Sequence, residues 1–206
     1  MEPHMTWSYS EHFIPPAESN WSHPAIGDAE KYVVDTAIEN HPFFDVAASR
    51  VEALRLWVSQ ELVVTNAVSQ CMLRVAALMS NVHVRTRMVL VIDGEHMGFK
   101  NGVARGAHPW LLHGLRESLE IAQDSIVPLL ETQVFLDQLN AESTDALRGT
   151  AAIGVGNERL LIPEYTAVRT AFEKGAHDSS FKGFLNANIL EDTEHTRLMR
   201  VIQPAV

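Results

Sequence analysis

Cysteine is nearly absent from this chain of 206 residues, with Cys71 alone. One thiol can form neither an internal disulfide nor a thiolate metal cage, which excludes a disulfide-stapled scaffold and a zinc finger and favours a reducing compartment. Basic charge is also scarce: 16 Lys and Arg stand against 26 Asp and Glu, a net charge of −10. A surface of that sign repels phosphate backbones and anionic headgroups, so no nucleic-acid or lipid-surface partner is expected. Long apolar runs are missing as well. The most apolar stretch, Leu62 to Met79, is interrupted by Thr65, Asn66, Ser69, Gln70 and Arg74, so no membrane span is expected. The opening Met1-Glu2-Pro3-His4 has no basic stretch followed by an apolar run, so no signal peptide is expected and the location is read as cytoplasmic.

What remains is the composition of an ordinary globular chain: 46% hydrophobic and 20% charged residues, with a mean hydropathy of −0.03. At this length one shared core is expected. Residues 1–28, rich in Pro, Ser, His and aromatics, read as an arm, and residues 29–206 as a single helical domain. Between Phe43 and Ser80 there is no Gly or Pro, and Val51, Leu54, Val58, Leu62, Val68, Met72, Val75 and Met79 recur at mostly helical steps. This predicts a long helix broken once near its middle, entered through His41-Pro42.

Further helical patterns run over Val84–Met97, from His108-Pro109-Trp110 to about Ala122, over Leu129–Leu139, from near Ser143 to a kink at Pro163, and from about Ser179 to Val201. Gly98, Gly102 and Gly106 read as a hinge between two of these helices. With no sustained alternation of strand type, the fold class is all-α, with about seven helices.

On the last helix Asn188, Asp192 and His195 stand at i, i+4 and i+7, on one stripe. A carboxylate and an imidazole three residues apart can reach one metal ion, and helical bundles build iron sites this way; the plainer alternative is a solvated face among Glu191, Glu194, Arg197 and Arg200. Other helices supply matching groups in Glu95, His108 and Glu158. Their plainer roles are a surface acid paired with Lys100, a helix-start residue under Trp110, and an exposed acid beside Arg159. Ala151, Ala152, Gly154 and Gly156 ahead of Glu158 permit close approach to the backbone, as a buried site requires. Glu61 is an extra candidate carboxylate whose plainer reading is a solvated charge beside Gln60, and His96 adjoins Glu95 but points elsewhere on the helix. Cys71 lies in an apolar stretch and reads as a small core residue.

Several segments together resemble the haem-oxygenase-like di-iron oxidases and oxygenases. These are His41-Pro42-Phe43, Glu95 to His108-Pro109 with Leu111, Leu112 and Leu115, Gly154 to Glu158 ahead of Pro163 and Tyr165, and the closing Asp-x-x-His. That family shares a seven-helix bundle with thiaminase-type hydrolases and pyrroloquinoline-quinone synthase. The resemblance implies a single-domain haem-oxygenase-like bundle, roughly over His41 to Ile202, in which Glu95, His108, Glu158, Asp192 and His195 are catalytic and, with Asn188, hold the metal. Two departures stand out. Asn188 occupies the place of the family's first histidine in the final run, and a carboxamide is a weaker ligand than imidazole. The gap from Glu95 to His108 is also longer than in family members.

The resemblance further implies two Fe(II) ions, O2 as co-substrate, a small amino-acid-like or fatty-acid-like substrate undergoing C–C cleavage, desaturation or N-oxygenation, and a homodimer. Tyr165, Arg169 and Trp110 are expected near the substrate. Alternatives of the same fold are a cofactor-independent or mono-iron enzyme and a non-catalytic small-molecule-binding protein.

Overall fold

The computed structural model describes residues 31–32, 34–97, 99–100, 103–104, 108–175, 183–189 and 195. The arm expected over residues 1–28 lies outside them. Among the described residues the bounded α-helices are α1 (Phe43–Ser49), α2 (Val51–Leu78), α3 (Val82–Met97), α4 (His108–Ser118), α5 (Leu130–Glu142), α6 (Ala146–Ala151) and α7 (Glu158–Lys174). Residues 183–189 are also helical. The all-α class expected from the periodicity is the architecture observed. No helix among the described residues is long and apolar enough to cross a membrane.

The long helix expected between Phe43 and Ser80 breaks near its start rather than its middle. Arg50 takes an extended backbone (φ −135°, ψ 114°) while its N–H still closes α1 on the Val46 carbonyl at 2.9 Å. The break lets α1 turn away and pack on α7. Beyond it α2 runs uninterrupted for 28 residues, about 42 Å at the α-helical rise. It is the axis of the bundle and touches α1, α3, α4, α5 and α6.

One further expectation needs correction. The glycine-containing segment after α3 is not simply a hinge: β1 (Phe99–Lys100) and β2 (Val103–Ala104) pair antiparallel as a two-residue hairpin, Phe99 opposite Ala104 and Lys100 opposite Val103. Pro163, where a kink is expected, lies inside α7, which continues through it to Lys174. Ahead of α7, Ala152–Asn157 winds as a π-helix, and α6 begins at Ala146 behind Asp145, whose side chain caps the Arg148 N–H.

The core falls into two apolar clusters strung along α2. One gathers Leu54, Trp57 and Val58 with Leu112, Leu115, Tyr165 and Phe184; the other gathers Val68, Met72 and Val75 with Met88, Val91 and Ile153. Cys71 is buried in the second, as its apolar setting suggested. Between the clusters several helices contribute something polar: Glu61 on α2, Glu95 at the end of α3, His108 at the start of α4, and Asn157 and Glu158 ahead of Tyr165.

Gly149 is where α6 closes on α2. A Cβ there would run into the Val75 side chain and come within 3.1 Å of the Ser143 backbone. Val75 and Ser143 are fully buried and cannot retreat. Gly149→Ala is expected to destabilise the fold by about 1–3 kcal/mol through overpacking, read as a lowered urea midpoint at unchanged m-value.

Candidate metal centre

Glu95, Glu158 and His195 meet between the two clusters, each offering one ligand atom, all within 4.8 Å of one another. Glu95 comes from the last turn of α3, Glu158 opens α7, and His195 comes from the C-terminal segment. His195 Nδ1 stands 3.0 Å from Glu95 Oε1 and 3.5 Å from Glu158 Oε2. Glu158 Oε2 and His195 Nδ1 are nonetheless buried without a properly aligned hydrogen-bond partner. Both atoms lie where the three side chains meet, so a cation placed there, a metal ion or a proton on the imidazole, would satisfy them together.

The backbone makes room for this convergence. An ideal Cβ on Gly94 would lie 3.2 Å from His195 Nε2, so glycine lets the imidazole rest against α3. The hairpin does the rest on the other side: by doubling the chain back between α3 and α4 it returns His108 to Glu95 despite the long separation in sequence. His108 Nδ1 and Glu95 Oε2 are 2.7 Å apart. His108, expected as a ligand, is thus hydrogen-bonded to Glu95 and falls outside the Glu95, Glu158 and His195 group, a position from which an imidazole orients a ligating carboxylate. Its ring lies 6.5 Å from that of His195, centroid to centroid.

Burial alone would raise the Glu95 pKa, but His108 and His195 outweigh it and hold the carboxylate ionised, well below the usual range. For His195 burial works against the charge, and Glu158 and Glu95 override it to hold the imidazole pKa well above the ordinary histidine value. In the metal-free protein a proton on His195 thus takes the place a metal cation would hold.

The remaining expected ligands fare differently. Asn188 is buried and lines the same cavity, with its carboxamide Nδ2 donating to the Phe184 carbonyl at 2.8 Å. Asp192 lies outside the described residues. Of the residues expected near the substrate, Tyr165 lines the cavity, whereas Trp110 is 76% exposed and Arg169 is turned to Asn186 Oδ1 at 2.9 Å. Neither lines the cavity. His96 is likewise occupied, between Ser69 Oγ at 2.6 Å and the Ile92 carbonyl at 2.9 Å.

Glu61 overturns its plainer reading as a solvated charge. It is buried in the same cavity, accepting from Tyr165 Oη at 2.6 Å and from Thr65 Oγ1 at 3.0 Å. The signal was present in the sequence, because Glu61 falls in register with Leu54, Val58 and Val68 on the apolar stripe of α2. Burial first, and the Glu164 carboxylate second, push its pKa up to about 7 against the opposing hydrogen bonds from Tyr165 and Thr65. The cavity itself has about 20 Å³ of room, enough for a water-sized guest or an ion.

No family model matches the chain, and no curated protein matches it in sequence. Among solved structures it is similar to a CADD-like protein of unknown function from Nostoc punctiforme, at 15% identity and a TM-score of 0.55, covering 88% of this chain and 93% of that one. At that identity the likeness is one of fold alone, and it extends over nearly the whole of both chains.

Glu61 also makes stability depend on pH. Its folded pKa of about 7 exceeds the ordinary 4.5, so the folded state favours the bound proton and loses that advantage as pH rises through 7. Glu61→Gln is expected to relieve a cost on the order of 3 kcal/mol between acid and mildly alkaline pH. The check is urea unfolding of metal-free protein at pH 5 and pH 8, where the variant should gain on the parent only at the higher pH.

Proposed function

We propose that this chain is a non-haem iron enzyme, an O2-dependent oxidase or oxygenase acting on a small amino-acid-like or fatty-acid-like metabolite. The observation that carries the reading is the convergence of Glu95, Glu158 and His195 inside an apolar bundle, with Glu158 Oε2 and His195 Nδ1 buried and lacking a hydrogen-bond partner. Two carboxylates and an imidazole suit Fe(II), and the similarity to haem-oxygenase-like di-iron proteins in the order of these residues points to two ions, with Asp192 and Asn188 as further ligands. Bound iron would supply the binding and reduction of dioxygen.

The chain's own residues do the rest. Glu95, Glu158 and His195 hold the metal, and His108 fixes the orientation of Glu95 through its hydrogen bond. Glu61, whose pKa of about 7 in the metal-free protein lets it take up or release a proton near neutrality, lines the same cavity and is itself held by Tyr165. The flanking apolar clusters exclude water. Cleavage, desaturation and N-oxygenation remain open as reaction outcomes, and a homodimer in the cytoplasm is part of the same proposal.

A mononuclear centre is the second reading, favoured by Asn188: its carboxamide nitrogen is tied to Phe184, and amide oxygen binds iron less well than imidazole. Anaerobic loading with Fe(II) followed by metal analysis separates the two. Two irons per chain support the first reading, one supports the second, and none removes both. Glu158→Ala and His195→Ala are expected to abolish loading, whereas His108→Ala, which removes only the group behind Glu95, should weaken it roughly 10–100-fold.

Metal and proton compete for His195, so affinity should rise with pH. Titration with Co(II), followed by its visible spectrum, is expected to show tighter binding at pH 8 than at pH 6; affinity independent of pH would mean that His195 is not a ligand.

A further inference from the structure

A carboxylate withdrawn from water without a cation opposite it is costly, and Glu164 is such a group. It lies half-buried on α7, with Oε1 accepting the Trp57 indole N–H at 2.9 Å. Among the described residues no lysine or arginine is paired with it. Burial raises its pKa, and the Trp57 hydrogen bond only partly opposes the rise.

Glu164 opens onto a cleft of about 350 Å³ whose walls include His41, Phe43, Phe44, Leu56 and Trp57. That volume falls in the range of small-molecule sites. The cleft shares no lining residue with the cavity of the metal centre. Its aromatic wall is ordered: Phe43 and Phe44 meet edge to face at 5.5 Å, and Trp57 is braced edge-on against Tyr165 at 5.7 Å. His41 forms no ion pair with Glu164 among the described residues; its Nδ1 accepts the Phe43 backbone N–H at 3.2 Å.

Aromatic faces beside an unpaired carboxylate form an environment that attracts an organic cation: the ring quadrupoles draw the charge and the carboxylate neutralises it. A neutral apolar guest would leave Glu164 unpaired. An anion would meet both Glu164 and a chain of net charge −10. We propose that this cleft binds an organic ammonium ion, with Glu164 as its counter-ion and Phe43, Phe44 and Trp57 packing on its apolar body. The site stands whether or not the chain binds iron.

The test is isothermal titration calorimetry of the full chain with 2-phenylethylammonium chloride and with its neutral counterpart 2-phenylethanol. The ammonium ion is expected to bind at least about ten-fold more tightly than the alcohol, and Glu164→Gln to erase that preference. Phe44→Leu leaves the carboxylate in place and keeps the test informative should the first variant fold poorly. It is expected to weaken the ammonium ion about three-fold or more while the circular dichroism stays that of the parent. Equal binding of the two probes, no binding of either at millimolar concentration, or a preference that survives Glu164→Gln but is lost in Glu61→Gln would overturn the proposal.

Discussion

Opposite charges that neutralise one another in the middle of an apolar bundle are the constraint on which this structure turns. Glu95, His108, Glu158 and His195 are each withdrawn from water, and none could be buried alone at tolerable cost. Glu95 is held ionised by two imidazoles, and His195 is held charged by two carboxylates. The helices can close only if these groups arrive together, so the polar layer ties the register of α3, α4, α7 and the C-terminal segment to one another.

Regular helices alone would not bring the groups together, and the departures from regularity lie where the convergence needs them. The hairpin after α3 returns His108 to Glu95. The π-helical turn over Ala152–Asn157 leads directly into Glu158, and extra residues of this kind in a helix are common at functional sites. Gly94 removes the side chain that would otherwise press on His195. Each device is small, and each re-aims a chemically active side chain without disturbing the apolar packing on either side.

A second ring of polar groups extends outward from this layer. Tyr165 binds Glu61 inside the cavity, while its neighbour Glu164 binds Trp57 toward the separate cleft. The consecutive residues Glu164 and Tyr165 thus serve two spaces, with Trp57 and Tyr165 in edge-to-face contact between them. The carboxylates of Glu61 and Glu164 raise the cost of ionising one another across this wall, so a charge placed in one space is felt in the other.

The helical class, the burial of Cys71 and most helix positions were legible in the sequence because spacing along one helix is a local property. Candidate acids and imidazoles were legible too, as residue types at helical spacing. Their meeting was not, since whether Glu95 faces His195 or bulk water depends on how separate helices pack. That Trp110 and Arg169 do not line the cavity was hidden for the same reason, as a residue can follow a site residue in the chain and still point outward. Glu61 was undervalued because a charged type was weighed above its place on the stripe, and the Tyr165 hydroxyl that joins Thr65 in sustaining its burial lies 104 positions away. What the chain by itself determined was which segments are helices and which residues could carry chemistry; tertiary packing decided which of them share a dry interior, because the free energy of a buried charge is set by what stands opposite it in space.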